Sequence, residues 1–137
     1  MKSIDPYLIF NGNCRQAMQF YADCLGAEVY MMTYGEGPGE QPEAIKDKIM
    51  HAKVTKGDLV IMASDPHDAT PNTQGDNFFL NLNCDSVEEI ERVFGAVGKN
   101  GKVLLPLQDM FWGARFGMLK DQFGVNWMFN FELPKQG

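Results

Sequence analysis

Two stretches of this chain follow one order of elements, and that repetition constrains the fold more than any single motif. In the first, a strand over Tyr7–Phe10 lies between Pro6 and the Asn11-Gly12-Asn13 turn. A helix over Cys14–Leu25 follows, with Asn13 as its N-cap, Gln16 in the first turn and Gly26 at the C′ position. Strands come next at Glu28–Tyr34, Ile49–Thr55 and Leu59–Ser64, the last two joined by the tight Lys56-Gly57-Asp58 turn. In the second stretch a strand over Asn77–Asn83 leads to a helix from Ser86 to Val97. A Ser86/Glu89 capping box opens it and Gly98 ends it. Strands follow at Lys102–Leu107, Arg115–Leu119 and Val125–Glu132, the last two joined by Asp121-Gln122-Phe123-Gly124, a hairpin turn with Gly124 supplying the positive φ. Both stretches read β-α-β-β-β at a period of about 70 residues, which is too long for a solenoid and marks a duplicated half-domain.

Composition sets the outer limits. The 137 residues are 45% hydrophobic and 22% charged, which makes one domain, 1–137, with modules at 1–68 and 76–137. A chain of this size buries about 65–70% of the surface its unfolded form exposes. A net charge of −6 argues against nucleic acid as a partner, and the 12 Lys and Arg are scattered rather than gathered along a phosphate or membrane track. No run of roughly 18 apolar residues is present to span a bilayer, and MKSIDPYLIFNGN reads as a strand, not a signal peptide. The expected location is cytoplasmic, without membrane contact. Three cysteines, an odd number, fit a reducing compartment, and Cys14 and Cys24 lie about 15 Å apart along one helix, too far to bridge.

A β-α-β-β-β unit covers one face of its sheet with its helix. Two such units give an α+β fold in which a curved mixed sheet forms a half-barrel cleft with the helices outside, a natural place for a small molecule.

The segments PYLIFNGNCRQAMQFY, KDKIMHAKV with the following IMASD, and FWGARFGMLKDQFGVNW, set in that duplicated order, resemble the vicinal oxygen chelate superfamily. Within it the chain is similar to the PhnB-like (YjdN-like) branch of the glyoxalase/bleomycin-resistance proteins. The resemblance implies a βαβββ duplication, a homodimer and a cavity in each curved sheet. It also implies where a divalent metal sits in the family's enzymes: on His, Glu or Gln side chains of the first and fourth strands of each half. Those positions fall on or beside Pro6 (with Asp5 before it), on Met62, near Phe79 and on Met128. A thioether is a poor ligand for a hard cation, and Pro and Phe are none. The carry-over therefore disfavours a divalent metal, and no cofactor is expected. A methyltransferase label attached to the branch finds no glycine-rich nucleotide loop after a strand.

Strand alternation extends these positions into a candidate site. Met62 brings Val60 and Ser64, Met128 brings Asn126 and Asn130, Phe79 brings Asn81 and Asn83, and Pro6 brings Leu8 and Phe10. Trp127, Phe129 and Phe131 turn the other way, against a helix. Asparagine is depleted in strands, so four on one apolar surface fit either a pocket with a few placed polar groups or a half-exposed sheet. His51 shares a face with Lys53 and Thr55, and counting back from Met128 gives Arg115 as its counterpart in the second half. As a catalytic pair, Arg115 would hold a carboxylate or phosphonate in its fork while His51 moves a proton near neutral pH. The competing reading is a His on a main-chain carbonyl and an Arg in a surface ion pair. Trp112 either caps the cleft with its indole plane or fills core. The Gly35–Glu40 loop reads as a flap or a dimer contact, and Asp65-Pro66-His67-Asp68 as a solvated loop.

The function expected is binding of a small, partly apolar molecule through Phe10, Met62, Phe79, Asn81, Trp112, Asn126 and Met128, without the usual metal. The alternative is a metal-dependent lyase, isomerase or dioxygenase using His51 with a carboxylate. Nine Met and ten Phe in so short a chain suit an apolar cleft in place of a metal centre.

Overall fold

Helix α1 (Cys14–Leu25) buries Cys14, Ala17, Met18, Tyr21, Ala22, Cys24 and Leu25 along one face, the spacing of an amphipathic helix. Gly26 ends it in the left-handed conformation, φ 61° and ψ 41°, where glycine carries no Cβ penalty. Its start departs from expectation. Asn13 makes no side-chain cap hydrogen bond. The acceptor is Asp65, only 2% exposed, whose Oδ1 accepts from the Gly12 and Cys14 amides at 2.9 and 3.1 Å. A carboxylate at this end satisfies orphan amides and faces the positive pole of the helix.

The computed structural model describes residues 1–68 and 70–135. The chain is α+β, with two four-stranded mixed sheets, two helices and no closed barrel among the described residues. It divides into two compact units, Met1–Thr73 and Gln74–Gly137. The first sheet runs in the order β1 (Tyr7–Ile9), β4 (Leu59–Ser64), β3 (Ile49–Lys56), β2 (Glu28–Thr33). Its β1–β4 pair is parallel and the others antiparallel. Helix α1 packs on β2, β3 and β4, covering the buried side chains of Ile49, Ala52, Val54, Ile61 and Ala63. Strand β2 stops at Thr33, whose hydroxyl and Glu36 cap each other's backbone to open a 3₁₀ turn at Tyr34–Glu36. Tyr34 therefore leaves the expected strand, and its phenol donates to the Asp65 carbonyl at 2.7 Å.

In the second unit α2 (Val87–Val97) starts as expected, with Ser86 Oγ accepting from the Glu89 amide at 3.0 Å. Glu89 returns its bond one residue further out, to the Asp85 amide at 2.9 Å. Gly98 follows the helix for a packing reason. A Cβ there would lie 2.9 Å from the Phe94 carbonyl oxygen and 3.1 Å from Leu119 Cδ2. The sheet order is β5 (Leu80–Asn83), β8 (Asn126–Glu132), β7 (Ala114–Lys120), β6 (Lys102–Met110). β5 is shorter than expected, because its pairing with β8 begins only at Leu80. β6 is longer, an edge strand whose register slips on either side of Leu105; Pro106 fits such an edge, where no ladder donor is needed.

The β7–β8 hairpin is organised by Asp121, 3% exposed. Its Oδ1 accepts from the Phe123 and Val125 amides at 2.8 and 3.1 Å, and Oδ2 from the Trp127 indole at 2.9 Å. Gly124, φ 86°, completes the turn. Trp127 stacks on Phe129 at 6.0 Å, and Phe94 of α2 meets Phe129 edge-on at 5.2 Å. No helix among the described residues is long and apolar enough to cross a membrane.

Asp65→Asn removes the charge and converts one acceptor to a donor beside three amides, so it should cost about 2–4 kcal/mol, read as a lower urea midpoint at unchanged slope; an unchanged midpoint would remove Asp65 from its structural role. Burial, with the Asp65 charge second, pushes the Cys14 thiol from 9.0 up to about 12, and burial does the same to Cys84, up to about 11. Cys24 is buried too. All three should resist a disulfide reagent such as DTNB in the native protein and react on denaturation. The unfolded chain releases the Cys14 proton near pH 9 while the folded chain keeps it, so this thiol lowers stability as pH rises from about 9 toward 12.

Candidate functional site

On the side of the first sheet away from α1, a row of side chains crosses all four strands. Tyr7 of β1 is in register with Met62 of β4, Met62 with Lys53 of β3, and Lys53 with Tyr30 of β2. Strands lie about 4.8 Å apart, so residues in register are face-sharing neighbours. Tyr7 is 45% and Tyr30 52% exposed. His51 shares this face with Lys53 and pairs with Met32. The Tyr7 ring stacks on the His51 imidazole with centroids 5.9 Å apart and planes at 30°, and the phenol oxygen lies 3.3 Å from Nδ1. The tautomer of His51 decides which group donates.

The second sheet repeats this plan with other residues. Asn81, Met128, Met118 and Leu105 form the corresponding row, and Asn130 with Phe116 and Gln108 lies beside it. Asn83 Oδ1 accepts from Asn81 Nδ2 and from Asn130 Nδ2, both at 3.3 Å. Asn126, 4% exposed, holds its Oδ1 buried without a hydrogen-bond partner among the described residues. Trp112 stands at the β6–β7 hairpin, half-exposed and edge-on to Phe111 at 5.1 Å and Phe116 at 6.0 Å. With Ala114, Asn130, Glu132 and Leu133 it lines a depression of about 550 Å³.

Met62 and Met128 thus occupy one and the same node of their two sheets. Two sequence expectations shift by a single residue. The partner of Met62, Lys53, lies nine residues before it, whereas the partner of Met128, Met118, lies ten before. The position matching His51 is therefore Phe116, not Arg115. A one-residue step turns a strand side chain to the opposite face. Arg115 pairs with Phe131 and turns toward α2, where Nε donates to Glu91 Oε1 at 2.9 Å, Nη2 donates to the same oxygen, and Nη1 donates to Asp109 at 3.1 Å. Its hydrogen bonds to these two carboxylates, Glu91 first, hold its pKa above the usual value.

Phe10 moves for the same reason. The parallel register sets Tyr7 beside Met62 and Leu8 beside the buried Ala63, so Tyr7 and Ile9 face outward and Phe10, 2% exposed, is core. Phe79 lies just before β5, half-buried. Asn81 stands beside Met128. Tyr7 escaped the sequence reading because its partner His51 is 44 residues away, and only the β1–β4 register could reveal it. In the Asp65–Asp68 segment, Asp65 caps α1. His67 Nε2 lies 3.0 Å from Gln41 Oε1 of the loop after the 3₁₀ turn, and its ring meets Tyr34 edge-on at 5.4 Å.

The family's four metal-ligand positions do not fit a divalent cation here. The central position of each sheet carries a thioether, flanked by Tyr7 and Lys53 in one and by Asn81 and Met118 in the other. No group of three or more His, Cys, Asp or Glu side chains gathers around a point among the described residues. Neither carboxylates nor imidazoles converge as hard or borderline cations require.

Residues 3–129 match the Glyoxalase/Bleomycin resistance protein/Dioxygenase superfamily. Protein YjdN of Escherichia coli (strain K12) is 36% identical over 140 residues, covering 93% of each chain. Among solved structures, protein PA1353 from Pseudomonas aeruginosa is 45% identical with a TM-score of 0.88, covering 98% of this chain and 100% of its own. The PhnB protein from Bacillus cereus is 28% identical with a TM-score of 0.77, covering 95% and 99%. Sequence match and fold agree across nearly the whole length, and the chain belongs to the glyoxalase/bleomycin resistance protein/dioxygenase superfamily.

Proposed function

We propose that this protein binds a small, partly apolar molecule on the open sheet faces centred on Met62 and Met128, without a resident divalent metal. The observation that carries the reading is the equivalence of the two methionines, which sit at matching nodes where the family's enzymes place metal ligands. A thioether is polarizable and conforms to varied apolar surfaces. Around each methionine stand a few polar groups of the kind that orient a ligand in an apolar pocket: His51 and Lys53 in one unit, Asn81 and Asn130 in the other. The unpartnered Asn126 acceptor suits a ligand that brings a hydrogen-bond donor.

The same proposal takes a second copy of the chain as partner, in the cytoplasm. Ile4, Phe78 and Phe111 are exposed, and large apolar side chains left open outside the two Met-centred rows suit an interface. Sedimentation equilibrium should give a dimer.

The binding reading is tested with ¹³C-methyl-methionine spectra of the full chain, titrated with planar aromatics and small organic acids. The methyls of Met62 and Met128 should shift saturably while that of the buried Met18 stays fixed, and EDTA should change nothing. Met62→Gln or Met128→Gln should weaken binding at its own sheet roughly tenfold, equivalent to about 1.4 kcal/mol. Stoichiometric zinc, nickel, manganese or iron in untagged protein would overturn the metal-free part, and spectra blind to every probe would overturn the site.

A further inference from the structure

The two open faces share a register and differ in charge. In the second sheet the rows through Met128 and Asn130 hold amides, methionines, a leucine and a phenylalanine, with no charged side chain. In the first sheet the corresponding positions hold Lys53 and His51. The chain carries a net charge of −6; among the described strand residues of this face the one carboxylate is Glu28, opposite Thr55 and diagonal to Lys53, while Asp5 lies ahead of β1, where its Oδ2 accepts from Ser3 Oγ at 2.7 Å. Lys53 has no ion-pair partner among the described residues. Its neighbours in register are Met62 and Tyr30, which do nothing to neutralise an ammonium. His51 is held by the Tyr7 ring, with its Nδ1 in contact with the phenol, so the imidazole is fixed in place.

We propose that the open face of the first sheet takes an organic anion, an aryl carboxylate whose ring lies on Met62 between Tyr7 and Tyr30 and whose carboxylate meets Lys53 and His51. Three strand spacings separate the two tyrosines, about 14 Å, a span that accommodates one or two fused rings. The tyrosine faces supply aromatic contact area. The methionine between them conforms to the ring. Lys53 supplies the charge, and His51 a second polar contact that directs the carboxylate toward β3 rather than along the row. The second face has no cation in the rows through Met128 and Asn130; its Lys120 stands one row further, opposite Asn126. This inference rests on the reading of the open faces as binding surfaces.

The test uses the full chain and two probes of one shape, 2-naphthoate and its neutral counterpart 2-naphthamide, by calorimetry and methionine-methyl spectra. Naphthoate should bind at least tenfold more tightly than naphthamide, shifting the methyls of Met62 and Met32. Lys53→Met should abolish the preference, so that both probes bind alike, and Lys53→Arg should retain it. Lys53 is exposed and packs nothing in the core, so the variants should fold, which circular dichroism checks. Equal affinities for the two probes at Met62 would overturn the anion inference and leave the binding faces standing, as would a preference that survives Lys53→Met. Failure of both probes to bind either face would overturn the inference together with the reading beneath it.

Discussion

One buried carboxylate holds the first unit together. Asp65 follows β4, takes the amides of Gly12 and of Cys14, the first residue of α1, on Oδ1, and takes the Ile49 amide at the start of β3 on Oδ2, at 3.0 Å. Its own carbonyl receives the Tyr34 phenol. The start of α1, the start of β3 and Tyr34 of the 3₁₀ turn therefore meet at this one residue after β4. Removing a carboxylate from water is expensive, and that expense is offset only where charge-assisted hydrogen bonds occupy its lone pairs. The arrangement has consequences for the open face: with α1 fixed over β3 and β4, the chain that enters α1 must run along β4, and β1 is locked in parallel register with Tyr7 beside Met62. Asp121 performs the matching task within one hairpin of the second unit, joining the turn amides to the Trp127 indole.

Local signals were the ones that could be read without coordinates. Both bounds of α1, the Ser86 start of α2, and the glycines at 26 and 124 follow from residues within one turn of each other, where propensity and capping act directly. What sequence could not supply was the partner of each strand. Asn13 is a good cap by its own chemistry, but the side chain that bonds the helix start is Asp65, 51 residues beyond Cys14, whose amide it takes. Asn77 to Phe79 have strand-like composition and no ladder to join, because β8 meets β5 only from Leu80. Phe10 and Arg115 were set on the wrong face by one residue each, and in both cases the error lay in register, which strand composition does not encode. Met62 and Met128 stand at equivalent register positions, which the repeated order of elements makes legible because the fourth strand can be located in each half independently.

Arg115 shows how a residue suited to ligand binding can be consumed by structure. Its guanidinium reaches one carboxylate of α2 and another of β6. An ion pair this open contributes little to stability, but it fixes where the charge points. With its fork turned toward α2, Arg115 adds no charge to the rows through Met128 and Asn130, which hold amides and apolar side chains. On the first sheet the position matching Phe116 is His51, which is held by the Tyr7 ring and keeps its face polar.

The duplication therefore conserves geometry in two places and varies chemistry around it. A metal centre would need donors whose directions converge at the node, and a thioether supplies neither charge nor a strict direction. Methionine at both nodes thus passes selectivity to the flanking residues. In the first sheet these are two tyrosines, a lysine and a histidine. In the second they are asparagines linked through a shared Oδ1, with the Asn126 oxygen left over. A group that satisfies the first, an oxyanion, finds no counter-charge in the rows of the second. A neutral donor that satisfies Asn126 leaves Lys53 without one. Matched registers with unmatched flanks give the two sheets faces of different chemistry.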